Sequence, residues 1–467
     1  MGAWFSNYNF VCNCDILMSH SPSQKYTSWG RVKTAKSPVF LPIYRDQLVK
    51  IFKENPDVKL LATGLKRSYG DSVLNSSGAL VDMKRLDRII SLDAEKGILK
   101  AEAGATISEI LTLIVPKGWF LSTTPGTRFV TLGGAIANDI HGKNHHMAGS
   151  MGCSVRNLTL VRSQEGVLQI SPEVNKGLFL ATIAGLGLTG LIESASISLS
   201  KINSAYLKVK RVPFQSIQEY LELAKSHQTE YEHTVAWIDC TCSSSKRGRG
   251  IFQSANWCND GDLEPHNNAM GISVPVDFPN LALNGFTVSV FNKLYYTLQK
   301  KKKGLRREHY SSFFYPLDGV RNWNRIYGSR GFYQYQCIVP FEGAKVHLEK
   351  LLALIAEANT GSFLAVLKTL GSKHSSGLLS FSRPGVTLAL DFPNNGKKTL
   401  KLLAKLDEVV RDCQGALYPA KDGRMSKEMF ELSFSRNQEF KEYIDPALTS
   451  DFWSRVSGFQ DKKIMEI

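Results

Sequence analysis

The sequence predicts an α+β protein of two domains. Three observations lead there. Short strands and helices alternate from residue 38 onward, broken by two glycine-rich loops at 64–70 and 124–152. Near Tyr206 the pattern changes to longer alternating strands, most of the aromatic residues and two long helices, which suits one antiparallel sheet with helices on one side. A literal GxGxxG at 185–190 sits in the wrong context for a dinucleotide-binding βαβ unit. Residues 191–199 continue as a strand, and no acid follows at about 20 residues.

Composition narrows the class. The chain has 467 residues, 43% hydrophobic and 21% charged, enough to bury at least one large core. Its net charge of +15 suits an anionic partner: a phosphorylated substrate, an acidic membrane surface or nucleic acid. Nucleic acid is disfavoured, because the one dense basic run, at 300–307, has no interleaved aromatic platform and no zinc-finger spacing occurs. That run reads as a solvated loop or as a contact with anionic lipid. The 8 cysteines include Cys12 with Cys14 and Cys240 with Cys242, neither pair at zinc-site spacing, so reduced thiols in a cytoplasmic chain are expected. No apolar run approaches the ~20 residues of a membrane span, which leaves peripheral attachment open. Oligomeric state is not legible.

Residues 1–28 read as a poorly ordered extension, whose first six residues match a loose myristoylation pattern. Strand 39–41 precedes a helix at 45–55, and strand 59–62 runs into the loop 64–70, whose backbone N–H groups can wrap a diphosphate. Strands follow at 79–83, 86–90 and 98–103. The helix 106–115 opens with a capping box, Thr106 and Glu109. After the second loop, 155–162 and 167–170 form a hairpin, and the glycines of 185–190 allow close packing against something flat or bulky. Strands 235–240 and 332–339 alternate with helices 217–227 and 343–358, while 246–310 reads as a weakly patterned insert, partly mobile or a lid. A turn at 383–385 precedes strand 386–392, and 398–411 is a helix.

The stretch 124–152 carries the chemistry. Thr131 is a plausible N-cap for a short helix in which Gly133 and Gly134 leave the backbone open to an anion. Asp139, His141, His145 and His146 offer an alternative metal set, weakened by Gly142 and Asn144 and by the lack of HExxH. A purely structural loop is the third reading. No P-loop and no GxSxG elbow is present.

Five segments resemble one family closely: GLKRSYGDS at 64–72, PGTRFVTLGGAIANDIHGKNHH at 125–146, GLGLTG at 185–190, YQYQ at 333–336 and YPAKDGR at 418–424. They resemble the decaprenylphosphoryl-β-D-ribose 2′-oxidases, FAD enzymes of the vanillyl-alcohol oxidase superfamily with a PCMH-type cofactor domain. The resemblance runs from about Gly30 to the C-terminus. It implies an FAD domain at 29–205, a substrate domain at 206–415 and a return to the first domain at 416–467. It implies hydride transfer from a sugar C2′–H to flavin N5, giving a 2′-keto sugar on a prenyl-phosphoryl carrier. A separate NADH- or NADPH-dependent short-chain reductase would complete an epimerisation to arabinose. The rivals are another FAD-dependent sugar or sugar-alcohol oxidase and a non-enzymatic basic lipid- or nucleic-acid-binding protein.

Carried over by position, Gly64, Leu65, Lys66, Arg67, Ser68, Tyr69 and Gly70 would wrap the FAD diphosphate. Pro125, Gly126, Thr127, Thr131, Gly133 and Gly134 would line the cofactor. So would Ala137, Asn138, His141, Gly142, Lys143, Gly187, Ile192 and Tyr418. Gln334, Gln336, Lys368, Thr387, Ala389 and Lys421 would face the substrate. Lys421, His141 and Tyr69 would stand at the chemistry, with Lys421 as base if burial or nearby cations lower its pKa. His141 could serve there, or brace the loop. Covalent relatives place a histidine where this chain has Arg67, which implies non-covalent FAD. Lys66 stands where mycobacterial members have glycine, and could add charge at the diphosphate or point outward. Thr387 and Ala389 replace an asparagine and an inhibitor-reactive cysteine, so covalent nitroaromatic inhibitors should fail. No metal is implied.

Overall fold

A computed structural model describes residues 21–242, 247–267, 271–279 and 283–458. The N-terminal half holds two sheets. In the first, Ser21–Thr27 and Thr34–Phe40 pair antiparallel, followed by Ala79–Asp82 and Leu60–Thr63 in parallel. The second is antiparallel, with Leu191–Lys201 at its centre between Ile98–Glu102 and Val155–Arg162. Apolar residues of Ile107–Ile114 and Leu132–Ala137 seal one core cluster between these elements. The predicted capping box is present: Thr106 N donates to Glu109 Oε2 at 2.9 Å, and Glu109 N donates to Thr106 Oγ1 at 3.1 Å.

The second half is one eight-stranded antiparallel sheet. From one edge to the other its strands are Gly304–His309, Tyr206–Phe214, Gly250–Trp257, His233–Ile238, Ala365–Leu370, Gly385–Pro393, Phe332–Val339 and Ala416–Leu417. Side chains alternate across each strand. Phe252, Leu367, Leu388, Leu390, Tyr335 and Cys337 point to one face, where Ile217–His227, Ala344–Glu357 and Lys397–Asp412 bury them in a second core cluster. The opposite face is left for the functional site.

Four expectations are corrected. Residues 21–27 of the expected extension form a strand; it lies at a sheet edge with Ser23, Gln24 and Lys25 exposed, so it needs no apolar alternation to pair. Residues 1–20, with the acylation pattern, Cys12 and Cys14, lie outside the described residues. The region 246–310 is not an insert: Gly250–Trp257 is an interior strand of the main sheet, bonded to Tyr206–Phe214 and His233–Ile238. Polar Gln253, Ser254 and Asn256 had broken the apolar alternation that marks strands. The basic run is a loop only at Lys302 and Lys303. Lys300 and Lys301 end the Gly285–Lys301 helix, and Arg307 lies on a strand, paired with Asp260 at 2.9 Å and Asp262 at 2.8 Å. The strand expected at 86–90 falls at Ile89–Asp93.

The C-terminal segment divides its contacts. Ala416–Leu417 edges the main sheet, and Phe430, Phe440 and Trp453 enter the second core cluster. Leu60 N donates to Ala447 O at 2.8 Å, and Arg455 clamps Asp71 at 2.7 Å and Asp422 at 3.1 Å. The tail therefore ties the first glycine loop to the main sheet.

Candidate active site

A cavity of about 1400 Å³ lies between the N-terminal sheets and the open face of the main sheet. That exceeds the ~300–1,000 Å³ usual for one small ligand, so it has room for a cofactor and a substrate together.

One wall is glycine-lined. The chain leaves Leu60–Thr63 and turns through Lys66, which takes a positive φ of 53°. A Cβ on Gly64 would lie 2.2 Å from Thr131 Oγ1, so the two loops touch there. Thr131 caps Leu132–Ala137, its hydroxyl accepting from Gly134 N at 3.3 Å. Gly126 has nothing within 4 Å of a Cβ and faces open space. Gly187, with φ of 77°, closes the cradle from the third loop. The buried hydroxyls of Thr63 and Ser72 border the cavity without a protein partner. Bare backbone, glycine clearance and unpartnered hydroxyls together fit the polar spine of a dinucleotide cofactor.

The other wall is the sheet. Register places Gln334 opposite Asp391 and Gln336 opposite Ala389. Lys368 and Val366 lie one strand over, and Trp237 lies beyond Val366. Asp391 is fully buried and accepts from Gln334 Nε2 at 2.7 Å, while its second oxygen has no partner. Lys421 reaches in from the C-terminal segment, its Nζ 4.2 Å from the centre of the Tyr69 ring. Lys143 donates to the Phe313 carbonyl and stands 4.2 Å over the Phe313 ring.

His141 links the parts: its Nε2 lies 2.9 Å from Gln336 Nε2, and its Nδ1 lies 3.1 Å from Lys368 Nζ. A neutral imidazole has one donor and one acceptor, so these contacts cannot both be donated to the ring. If Gln336 donates, Nδ1 carries the proton and Lys368 accepts as a neutral amine. If the amide turns over, Nε2–H donates to its oxygen and Lys368 donates as an ammonium. A charged Lys368 therefore fixes the Nε2–H tautomer of His141, whereas a neutral one can accept from Nδ1–H or donate to Nδ1.

Burial, joined at some groups by nearby cations, sets the protonation states. Burial, with repulsion from Lys368 and Arg211, brings Lys143 down to about 7. Burial and the Lys421 charge bring Lys368 to about 7. Burial lowers Lys421 to about 8 against the pull of Asp391. Burial lifts the Asp391 carboxyl to about 7, opposed by Gln334 and Lys421. His141 is held well below the ordinary histidine range by burial, then by Lys368, His145 and Lys421.

All but two of the sequence-predicted residues line this cavity. Gly70 does not: a Cβ there would fall 1.5 Å from the Asp422 carbonyl, so this glycine serves close packing against the tail. Thr387 does not: it lies beneath Gln336, whose Nε2 donates to its hydroxyl at 3.1 Å. Lys66 pairs with Asp82 at 3.2 Å, and Arg67 stacks 4.0 Å over Trp29. Tyr418 donates to the Asn138 carbonyl at 2.8 Å. The metal reading dissolves. Asp139 accepts from Ser150, Gly152 N, Ser375 and Ser380, while His145 and His146 turn to Gly371 N and the Tyr231 carbonyl. Among the described residues no cluster of three or more His, Cys, Asp or Glu could hold a metal ion.

Sequence reasoning missed Asp391 and Asp318. Asp318 accepts from Thr127 Oγ1 at 2.5 Å and Arg128 N at 2.8 Å, fixing the second loop. Asp391 had a signal: it is two residues beyond Ala389 on the same strand face.

Residues 38–171 match the FAD binding domain family. Fold, cavity and match define an FAD-dependent oxidoreductase acting on a CH–OH group, a two-domain α+β flavoprotein of the PCMH type. The decaprenylphosphoryl-β-D-ribose oxidase of Mycolicibacterium smegmatis is 31% identical over 443 residues, covering 91% of this chain and 95% of that protein. An uncharacterised Streptomyces coelicolor protein is 26% identical over 374 residues, 75% of this chain and 99% of its own. The L-gulonolactone oxidase of Mus musculus is 26% identical over 234 residues, 50% of this chain and 48% of its own. The chain belongs to the decaprenylphosphoryl-β-D-ribose oxidase family of FAD-linked oxidases.

Proposed function

We propose that this enzyme oxidises the 2′-hydroxyl of a polyprenyl-phosphoryl ribose to the 2′-keto sugar. That step is the first half of an epimerisation to arabinose, completed by a separate NAD(P)H-dependent short-chain reductase. One observation carries the reading. The cavity combines three lysines and two glutamines on its inner wall with an apolar wall of Trp237, Phe291, Tyr295 and Phe363. A phosphoryl sugar with an apolar chain matches both; a soluble sugar lactone leaves the apolar wall unpartnered.

Bound FAD supplies the two-electron acceptor. In this reading Lys143 and Lys368 hold the phosphoryl group, and Gln334 and Gln336 orient the sugar hydroxyls. Lys421, neutral in part of the population near pH 7, takes the hydroxyl proton. Asp391 stabilises the resulting ammonium. His141 stays neutral and positions Lys368 and Gln336. Tyr69 shields Lys421 from water. Loop 64–70 has no histidine to form a covalent link, and Arg67 is engaged with Trp29 and the Phe129 carbonyl, which supports non-covalent FAD.

The test is an anaerobic absorption spectrum of the purified protein before and after adding a prenyl-phosphoryl ribose. Bleaching with that compound, and release of FAD on denaturation, is the expected result. Bleaching only with another sugar would replace the substrate.

A further inference from the structure

The Gly285–Lys301 helix has two apolar faces but packs only one of them. Val288, Asn292 and Tyr296 turn inward. Asn292 is fully buried and donates to Asp239 Oδ1 at 3.0 Å, and the Tyr296 hydroxyl accepts from Gln215 at 2.6 Å. These bonds fix the helix about its axis. Phe286, Val290, Leu294 and Leu298, spaced four apart on a second face, are left 77%, 52%, 57% and 47% exposed. Leu305, just beyond the helix, is 62% exposed. Exposed apolar residues scattered singly need no cause, but an aligned stripe of them does.

Charge identifies the occupant. Residues 286–306 carry Lys293, Lys300, Lys301, Lys302, Lys303 and Arg306 and no acidic residue. Protein interfaces are depleted of lysine at their centres, which argues against a second copy of the chain. An apolar stripe bordered by lysines is the pattern of a helix lying in the plane of an anionic bilayer. Among the described residues no helix is long and apolar enough to cross one. The position supports the same reading. Phe291 and Tyr295, on this helix, line the cavity, where Phe291 packs on Phe363 at 5.6 Å and Tyr295 on Trp237 at 4.8 Å.

We propose that the Gly285–Lys301 helix is an in-plane membrane anchor. Phe286, Val290, Leu294 and Leu298 enter the acyl boundary, the lysines meet anionic headgroups, and the apolar end of the cavity opens beside the lipid. Membrane docking stands on the exposed face alone; that the opening admits a prenyl chain rests on the proposed substrate.

The test uses yellow holoenzyme, sedimented with phosphatidylcholine vesicles with and without phosphatidylglycerol. Wild type should bind the anionic vesicles. The double variant Leu294→Glu, Leu298→Glu should bind at least tenfold more weakly. The triple variant Lys300→Gln, Lys301→Gln, Lys303→Gln should lose the preference for phosphatidylglycerol. Both should keep full flavin content and wild-type bleaching by a water-soluble short-chain prenyl-phosphoryl ribose. Equal vesicle binding by wild type and the leucine variant would overturn the proposal, as would absence of wild-type binding. A wild-type dimer in analytical ultracentrifugation that the leucine variant dissociates would overturn it in favour of a second copy. Vesicle binding without bleaching by the ribose would sink the substrate reading and leave the anchor standing.

Discussion

If Lys421 is the base, the site must keep part of it neutral, and the size of that effect follows from its surroundings. An ordinary lysine at 10.5 is neutral in about one molecule in 3,000 at pH 7; at about 8 the fraction is about one in ten. The cavity therefore supplies about 300-fold more neutral amine than an exposed lysine would. The sign is fixed: protonation removes the base, so the rate of substrate-dependent flavin bleaching rises with pH. In anaerobic stopped-flow measurements it should climb about tenfold from pH 6 to 7 and level off above about 8. Lys421→Met should lower the plateau by about 100- to 10,000-fold, the usual worth of a positioned base, and abolish the limb. A bleaching rate flat from pH 6 to 9 would refute the reasoning. So would a limb of the same midpoint surviving in Lys421→Met, which would move the base elsewhere.

Further outcomes follow from the same site. Asp391→Asn removes the charge that supports the Lys421 ammonium, so the midpoint of that limb should move to lower pH; an unmoved or raised midpoint would exclude the coupling. Lys143 and Lys368, both at about 7, are mostly neutral at pH 8, and an anionic ligand favours their charged forms. Titration calorimetry in buffers of different ionisation enthalpy should show uptake of roughly one to two protons per prenyl phosphate at pH 8 and little at pH 6; no uptake at pH 8 would separate these lysines from the phosphoryl site. Gly126→Val faces open cavity and should keep the melting temperature of the cofactor-free protein while losing FAD affinity, whereas Gly70→Ala, driven against the Asp422 carbonyl, should lower that melting temperature. With Ala389 in place of a reactive cysteine, incubation with a covalent nitroaromatic inhibitor should leave the protein mass unchanged by mass spectrometry, and Ala389→Cys should restore an adduct.

The legible parts of this chain are those whose physics is local. Glycine-rich loops, the Thr106–Glu109 capping box and the Thr131 cap each lie within a few residues, and the sequence pattern located all of them. The period-two strands 332–339 and 386–392 were equally open to reading, because their apolar faces are unbroken. The Gly250–Trp257 strand was hidden because Gln253 and Asn256 interrupt its alternation, and Gln253 is polar because it faces the cavity. Function had overwritten the signal that marks structure. Gly285–Lys301 also escapes the usual pattern, because its second apolar face departs from the one-stripe rule for surface helices.

What no local pattern could supply is the electrostatic cluster. Lys143, Lys368 and Lys421 come from three distant segments and meet only after the main sheet has set its register and the tail has returned through Arg455. Each lysine alone is an ordinary surface-type residue. Brought together in a cavity, they are lowered first by burial, with Lys368 adding repulsion on Lys143 and Lys421 on Lys368, and the buried acid that acts on Lys421, Asp391, is itself lifted toward neutrality. A cluster poised in this way is costly to keep fully charged and gains most from an anionic ligand. In the proposed reading the arrangement couples binding to protonation: the phosphoryl group would restore charge to Lys143 and Lys368, while Lys421, beside Tyr69, would remain able to accept the hydroxyl proton. Replacing Lys368 by methionine would relieve the repulsion on Lys143 as well as remove a phosphate contact, so the two lysines should behave non-additively in a double-mutant cycle of ligand affinity.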